Sequence, residues 1–322
     1  MEEFGTYEPN GIAFSDNDEI WWLETIGGHH WAAKRIPDDA YVVAPNRMNI
    51  DDFDFSAEDT LASDDLEDLI AKYSLNPDFD QVNLRHIFGS ASIKDTVYNN
   101  PRAWFGQKYF NPEIEQDPQD QDLPFICHAN RKISIDDVKF VLSSHFENTK
   151  YDVYGHGSED DKTLFRPIGI NRNHDVHILQ IRNSVPDSIA GIHWLAFGAN
   201  TFNTVVPFYA NVDDTPATYK DADGTFNMNH MYWLSCTTAL LGDTDYSLYE
   251  DFRNTFALEA MAAYRKIQHE TDAAIVDGAD TKILKEANEK LSDESFTRQT
   301  KLLGDMVTFG SEHMKLRYNL ND

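Results

Sequence analysis

The chain has 322 residues, of which 41% are hydrophobic and 12% aromatic, so it is long enough to bury a large core in one domain or two. Its 27 basic and 55 acidic residues give a net charge of −28, which repels phosphate backbones and argues against a nucleic-acid partner. No apolar run reaches the roughly 20 residues that cross a bilayer, and no basic-then-apolar leader follows Met1, so we expect a cytoplasmic protein with no membrane partner.

Short strands and tight turns characterise the first part of the chain, from Asn10 to Asn46. The segments GIAFSD, EIWWLET, HHWAAKRI and AYVVAP are separated by the turn-forming groups Asp-Asn-Asp, Ile-Gly-Gly and Pro-Asp-Asp. Because only antiparallel neighbours are joined by so few residues, the pattern predicts an antiparallel meander.

Helices and further strands follow in alternation. Residues 63–73 and a segment that begins at Ser134 carry apolar residues at helical spacing after Ser and Asp caps, which predicts two amphipathic helices that lie on a sheet. Strands are predicted at residues 177–182, 191–198 and 204–210, and Pro207 indicates that the last is an edge strand. We expect the least order in the loops 111–122 and 155–161.

The character of the chain changes at Asp245. Two Ala-, Glu- and Leu-rich runs without proline predict two long helices that are joined near Asp277-Gly278. Sheet elements first and helices last indicate an α+β fold, which we divide into a core of residues 1–244 and a helical region of residues 245–322 packed on it.

Asn46 is the first candidate for chemistry. It follows an extended segment and lies between Pro45 and Arg47, so its side-chain amide is suited to donate to the oxyanion of a tetrahedral intermediate. The alternative is a turn asparagine that bonds to its own backbone.

Arg102 is the second candidate, in Tyr98-Asn-Asn-Pro-Arg-Ala-Trp104. We expect a turn at Asn100-Pro101 that presents Arg102 between aromatic residues, where it binds a carboxylate or acts next to a nucleophile. The alternative is an ordinary ion pair with one of many acidic residues.

Histidines and cysteines give weaker signals. His29 and His30 are adjacent on a predicted strand and point to opposite faces, which argues against a shared metal. The two cysteines, Cys127 and Cys236, are predicted to be buried thiols without a disulfide. No nucleotide-binding or serine-hydrolase motif occurs, and we predict no cofactor and no metal.

Several long strings carry a resemblance to a known family. They are TYEPNGIAFSDNDEIWWLETIGGHHWAAKRIPDDAYVVAPNRMNIDDFDF, DTVYNNPRAWFGQKYFNP, ISIDDVKFVLSSHFENTKYDVYG, FRPIGI and HILQIR. They resemble the dipeptidase A type of peptidase, a family of cysteine N-terminal-nucleophile hydrolases related to penicillin V acylase and bile salt hydrolase. The resemblance implies an αββα sandwich of antiparallel sheets between helical layers, and metal-free hydrolysis of dipeptides.

The resemblance also implies roles for individual residues. Asn46 takes the place of the oxyanion asparagine and Arg102 that of the active-site arginine, although Pro45 departs from the wider superfamily, which has Thr there. His29, Asn49 and Trp104 are expected to line the substrate pocket. Family members begin with a nucleophilic cysteine whose own α-amino group is the base. Because Met1 begins this chain, we expect an N-terminally incomplete fold whose nucleophile lies upstream.

Three functions are therefore open. The first is a cysteine dipeptidase whose nucleophile-bearing segment is absent from this chain. The second is a non-catalytic product of a truncated or split gene, and the third is an acylase on linear amides. The partners to consider are dipeptide substrates, a second copy of the chain and a separately encoded N-terminal segment.

Overall fold

The computed structural model describes residues 10–220, 222–275 and 281–316. The chain forms two compact units. Unit 1 consists of Met1–Ser134 and Asn148–Pro167, and unit 2 consists of Ile135–Glu147 and Ile168–Asp322. Both combine antiparallel sheets with helices, so the predicted α+β class is confirmed. The predicted division after residue 244 is a different partition, and it stays a prediction.

The described residues form nine strands and ten α-helices. The strands are β1 Gly11–Ser15, β2 Ile20–Gly27, β3 His30–Ile36, β4 Ala40–Val42, β5 Thr60–Ala62, β6 Ile126–His128, β7 Asp175–Ile181, β8 Gly191–Phe197 and β9 Val206–Tyr209. The helices are α1 Leu66–Lys72, α2 Leu84–Phe88, α3 Ile93–Tyr98, α4 Asn100–Phe110, α5 Ile135–Leu142, α6 Glu159–Leu164, α7 Asp187–Ala190, α8 Met231–Thr244, α9 Glu250–Ala274 and α10 Thr281–Glu312. A short 3₁₀ turn covers Ala217–Tyr219.

Unit 1 contains the first three strands of the predicted meander, but the prediction is wrong for the fourth, because β3 pairs with β5 and not with β4. Its larger sheet has the order β1-β2-β3-β5, all antiparallel, and β4 pairs with β6 in a second, two-stranded sheet. A bulge between Thr25 and Gly27 interrupts the register of β2 with β3. One face of the meander packs on a core of apolar side chains, namely Ala32, Ile36, Met48, Ile50, Phe53, Leu66, Ile70, Leu84 and Phe125.

Unit 2 packs its long helices against the sheet β7-β8-β9. Alternate residues of β8, Ile192, Trp194 and Ala196, are buried, as expected for a strand with one face on a core. Pro207 lies in β9 at the edge of this sheet, which confirms the prediction. The predicted long helices are α9 and α10, and the predicted junction at Asp277-Gly278 lies outside the described residues.

The region between residues 84 and 110 differs from expectation. The predicted turn at Asn100-Pro101 is wrong, because these residues begin α4 instead. Proline is compatible with the first helical turn, where no intrahelical acceptor is needed for its missing N–H. Arg102 is therefore held in a helix rather than in a loop. The predicted loop 155–161 likewise includes the start of α6.

None of the helices in the described part of the chain combines the length and the apolar character needed to span a membrane.

Candidate active site

Asn46 lies in the exposed bend that follows β4. Its neighbour Arg47 donates its backbone N–H to the Pro45 carbonyl oxygen at 2.7 Å, which tightens the bend. The next residues, Met48, Asn49 and Ile50, are all buried. The chain thus leaves a short strand, exposes one asparagine side chain and returns to the core.

Arg102 fixes the orientation of the Asn46 side chain. Its Nη1 donates to Asn46 Oδ1 at 3.0 Å, across 56 residues of sequence. A guanidinium group only donates hydrogen bonds, so the Asn46 atom that faces it is the amide oxygen. The amide nitrogen, Nδ2, consequently points away from Arg102 and has no hydrogen-bond acceptor among the described residues. Asn46 therefore presents an oriented donor at the surface of unit 1.

Arg102 is itself held on all of its nitrogens. Its Nε donates to the Tyr98 carbonyl oxygen at 2.8 Å, and its Nη2 donates to Asn99 Oδ1. Asn99 Nδ2 in turn donates to the Asn46 carbonyl oxygen at 3.0 Å. Asn46, Arg102 and Asn99 are thus joined in a closed ring of hydrogen bonds. The arginine is only 9% exposed, so this geometry is set within the fold before any ligand arrives.

The first turn of α3 also contacts this ring of hydrogen bonds, through Asp95. Asn99 Nδ2 also donates to Asp95, which forms a capping box with Ser92 and accepts a further hydrogen bond from Ser90. Burial acts to raise the pKa of Asp95, but the hydrogen bonds from Ser90, Asn99 and Ser92 outweigh it and hold that pKa below its ordinary value. The carboxylate is thus ionised and locates Asn99.

Asn49 has a different environment from Asn46. Its backbone N–H and its Nδ2 both donate to the buried carboxylate of Glu24, at 2.9 and 2.8 Å to Oε1, and Nδ2 also donates to the Arg47 carbonyl oxygen at 2.6 Å. Ile50 donates its N–H to the same carboxylate at 3.0 Å. Glu24 thereby pins the segment that follows Asn46 to strand β2.

His29 and Trp104 are the other predicted pocket residues. His29 is exposed in the turn between β2 and β3, whereas Trp104 is buried in α4, where it meets Phe105 and Tyr151 edge-on with ring centres 6.3 and 6.0 Å away. The structure joins Asn46 directly to Arg102. The binding roles of His29, Asn49 and Trp104 stay predictions.

The two cysteines lack the features of an activated nucleophile. Burial raises the pKa of the Cys127 thiol to about 11, although a hydrogen bond with Tyr41 opposes this shift. Burial also raises the pKa of the Cys236 thiol in α8. Reactive cysteines have a lowered pKa, so both thiols are protonated and weakly nucleophilic at neutral pH.

Sequence reasoning did not identify Asn99, Asp95 or Glu24. The only local signal was the capping pattern from Ser92 to Asp95, and it lies before a helix that was not predicted. Glu24 lies in the predicted strand EIWWLET, and it is 2% exposed in the fold.

Comparisons with known proteins agree with the resemblance. The model of peptidase family C69 matches residues 1–259. A relative named "Probable dipeptidase B", from Lactococcus lactis subsp. lactis (strain IL1403), is 62% identical over 100% of this chain and 69% of its own length. "Dipeptidase A" from Lactobacillus helveticus is 54% identical over 100% of this chain and 69% of its own length. "Dipeptidase" from Bifidobacterium longum (strain NCC 2705) is 44% identical over 76% of this chain and 49% of its own length.

Proposed function

The chain belongs to peptidase family C69 and is a hydrolase, and from this premise we propose that it hydrolyses dipeptides by attack of a thiolate, with Asn46 as a donor to the oxyanion. The observation that carries the proposal is the hydrogen bond from Arg102 Nη1 to Asn46 Oδ1, which turns Asn46 Nδ2 outwards. The names of the relatives support dipeptides as the substrate class.

In the proposed reaction a thiolate sulfur attacks the carbonyl carbon of the scissile bond, and the carbonyl π electrons move to the oxygen. Asn46 Nδ2 donates a hydrogen bond to this oxyanion, an interaction whose removal costs about 2.7–4 kcal/mol in other acyl-transfer enzymes. Collapse of the intermediate breaks the C–N bond, and the amine leaves with a proton. Water then cleaves the thioester and releases the first amino acid.

Arg102 is a positioning residue in this proposal. It holds the Asn46 amide in one orientation, so that the donor does not have to be ordered during the reaction. Asn99 and Asp95 hold Arg102 in turn. The ring of hydrogen bonds thus supplies the rigidity that an oxyanion donor needs.

The proposed thiolate is neither Cys127 nor Cys236, because burial raises the pKa of both thiols. On this proposal the attacking sulfur is supplied by polypeptide other than these 322 residues. Replacing Cys127 and Cys236 with alanine is therefore expected to leave turnover unchanged, as measured by release of free amino acids. Loss of turnover in either variant would assign the nucleophile to this chain.

The proposal is tested with a panel of dipeptides, among them Ala-Ala, and with N-acyl amino acids as competing substrates. The chain is assayed alone and joined to the part of the Lactococcus lactis relative that it does not cover. We expect dipeptide turnover in at least one of the two forms, and faster turnover of dipeptides than of N-acyl amino acids. If neither form cleaves any dipeptide, the proposal fails; if N-acyl amino acids are the better substrates, the substrate class is wrong.

A further inference from the structure

Three cationic side chains surround the ring of Tyr98 in unit 1. The guanidinium carbon of Arg166 lies 4.7 Å from the ring centre, that of Arg102 lies 5.1 Å from it, and Lys94 Nζ also lies 5.1 Å from it. We call these three residues the Tyr98 cation cluster. Cation–π contacts offset part of the cost of bringing the cations together, but they do not neutralise charge.

Arg166 is placed here by the chain that follows it. It precedes Pro167, and a residue before proline favours an extended backbone. Its backbone N–H donates to the Val97 carbonyl oxygen at 3.0 Å, which ties this segment to α3. The Arg166 side chain is thereby directed to Tyr98, the last residue of that helix.

The guanidinium group of Arg166 has buried donors that make no hydrogen bond with the described residues. These donors are Nε and Nη1. A buried donor without a partner costs about 1–3 kcal/mol, and more when it is charged. A cationic side chain whose buried donors have no partner among the described residues has the chemistry of an anion-binding group.

The Tyr98 cation cluster also lacks a counter-charge. No carboxylate of the described residues lies within 4.0 Å of a cationic nitrogen of Lys94, Arg102 or Arg166, although the chain has 55 acidic residues. Burial, and next the positive charge of Arg166, lower the pKa of Arg102 to about 10, so Arg102 is charged at neutral pH and is repelled by Arg166. An anion that binds between them relieves both the repulsion and the burial cost.

We infer that Arg166, together with the donors of Arg102 that remain free, binds the C-terminal carboxylate of the dipeptide substrate. Arg102 has five N–H donors and commits one from each nitrogen to Tyr98, Asn46 and Asn99, which leaves two for a ligand. The inference rests on the proposed function, because it uses Asn46 to place the scissile carbonyl.

The spacing in a dipeptide fits this arrangement. Its scissile carbonyl and its terminal carboxylate are separated by a single residue, and neighbouring Cα atoms are about 3.8 Å apart. Arg102 touches the Asn46 amide that faces the carbonyl and shares the Tyr98 ring with Arg166, so one guanidinium spans both functions. A substrate with one residue after the scissile bond brings its carboxylate to the cluster, whereas a longer peptide places a neutral amide there. Arg166 is thus a specificity-determining residue.

The binding test uses the full chain and a non-hydrolysable analogue of Ala-Ala, in which a methylene group replaces the scissile carbonyl, as the free acid and as the C-terminal amide. Titration calorimetry is expected to show that the acid binds about 10–100-fold more tightly than the amide. Equal affinity of the acid and the amide for the unmodified chain overturns the inference, and this comparison needs no variant.

Substitutions then assign the effect to Arg166. Arg166→Gln is expected to weaken binding of the acid about 10–100-fold and to leave binding of the amide unchanged. Arg166→Lys keeps the charge but loses the fork, so we expect a smaller loss. The matched control is Arg172→Gln, because Arg172 is exposed and makes no hydrogen bond or ion pair with a described residue, and it is expected to change neither affinity. Thermal unfolding followed by circular dichroism shows whether each variant is folded. If Arg166→Gln is unfolded, the comparison of acid with amide is made with Arg166→Lys. An equal loss for the acid and the amide would overturn the inference.

Turnover separates this inference from the proposed function. In the form that is active, we expect Arg166→Gln to raise the KM for Ala-Ala and to leave kcat nearly unchanged. Dipeptide turnover with equal kcat/KM for Ala-Ala and Ala-Ala amide contradicts the carboxylate site while dipeptidase activity stands. Absence of turnover in every form contradicts the proposed function, and the calorimetric comparison of acid with amide then decides the carboxylate site alone.

Discussion

Each unit of the molecule contains cationic side chains that are partly withdrawn from water, and the groups that surround these side chains differ between the two units. In unit 2, Lys139 Nζ donates to Ser143 Oγ at 2.7 Å and to the Asn200 carbonyl oxygen at 2.8 Å. Burial lowers the pKa of Lys139 to about 7, and the nearby Glu147 carboxylate opposes this shift. In unit 1, Arg102 and Arg166 lie beside one aromatic ring without a carboxylate partner among the described residues.

Polar side chains and backbone groups of unit 2 form a hydrogen-bond network near Lys139. Glu147 accepts hydrogen bonds from Ser144 Oγ at 2.5 Å and from the His145 backbone N–H at 3.2 Å. The His145 ring then bonds to the Tyr246 hydroxyl at 2.9 Å. The Lys139 ammonium group thus has two hydrogen-bond acceptors and a nearby carboxylate within unit 2, which is the arrangement of a structural network. The contrast agrees with the inference that Arg102 and Arg166 in unit 1 bind an anionic ligand.

The largest expected effect is at Asn46. Asn46→Ala is expected to lower kcat for dipeptides about 10²–10³-fold, because the oxyanion loses a preorganised donor. Asn130→Ala, at an exposed asparagine, is the control, and steady-state kinetics on Ala-Ala provide the measurement. An Asn46→Ala variant that is as active as its control would end the assignment of chemistry to this region of unit 1.

Arg102 is expected to give the next largest effect. Arg102→Lys loses the fork that contacts Asn46 and Asn99 while it keeps the charge, so we expect kcat/KM to fall about 10–150-fold. Because Arg102 orients Asn46 and also faces the carboxylate, both kcat and KM should worsen, whereas Arg166→Gln changes mainly KM. Steady-state kinetics that show an effect on KM alone would remove the positioning role.

Tyr246 sharpens the comparison from the side of unit 2. Tyr246→Phe removes a hydroxyl that bonds to the His145 ring and to Thr201 Oγ1 at 3.0 Å, and it is expected to lower the free energy of unfolding by about 1–2 kcal/mol. Denaturant unfolding measures the loss. Turnover of the folded variant should stay within about twofold of the parent. A loss of kcat comparable to that of Asn46→Ala would place chemistry in unit 2 as well and break the comparison.

Lys139 gives the smallest expected effect near neutral pH. Its pKa is about 7 in the folded protein and 10.5 in its ordinary state, so between these values the unfolded chain holds one more proton than the folded one. The free energy of unfolding therefore rises with pH across this window, by at most about 1.4 kcal/mol per pH unit, and this contribution is flat below pH 7.

Lys139→Met should reduce that slope. Urea unfolding at several pH values between 6 and 10 measures it, and Lys132→Met, at an exposed lysine, is the control. If the free energy of unfolding depends on pH equally in Lys139→Met and in the parent, the pKa of Lys139 is not lowered in the folded protein.

Local pattern was sufficient for most of the strands. The alternation and tight turns of residues 11–45 predicted β1 to β4, and the pairing of β1 with β2 and of β2 with β3 is antiparallel as expected. The expected pairing of β3 with β4 does not occur, because β5 and β6 come from later in the chain and pair with them instead. Such features depend on neighbours in sequence, so a single chain displays them. Helices α3 and α4 were missed because Asn-Pro was interpreted as a turn, although proline is equally suited to a first helical turn.

The sequence predicted individual residues of the candidate site but not the contacts between them. Asn46 and Arg102 were identified as separate candidates, but the contact between them joins segments 56 residues apart, and only the fold brings them together. Glu24 and Arg166 were not identified at all. The importance of Glu24 comes from its burial, and that of Arg166 from the absence of a counter-charge, and neither property is visible in a linear pattern.

The two guanidinium groups beside Tyr98 reach it on separate pieces of backbone, one inside α4 and the other on the extended stretch before Pro167. Residue 166 takes no part in the ring of hydrogen bonds that orients Asn46. Evolution or protein engineering is thereby free to retune which peptide ends are accepted at this one position, without redesigning the machinery that stabilises the reaction.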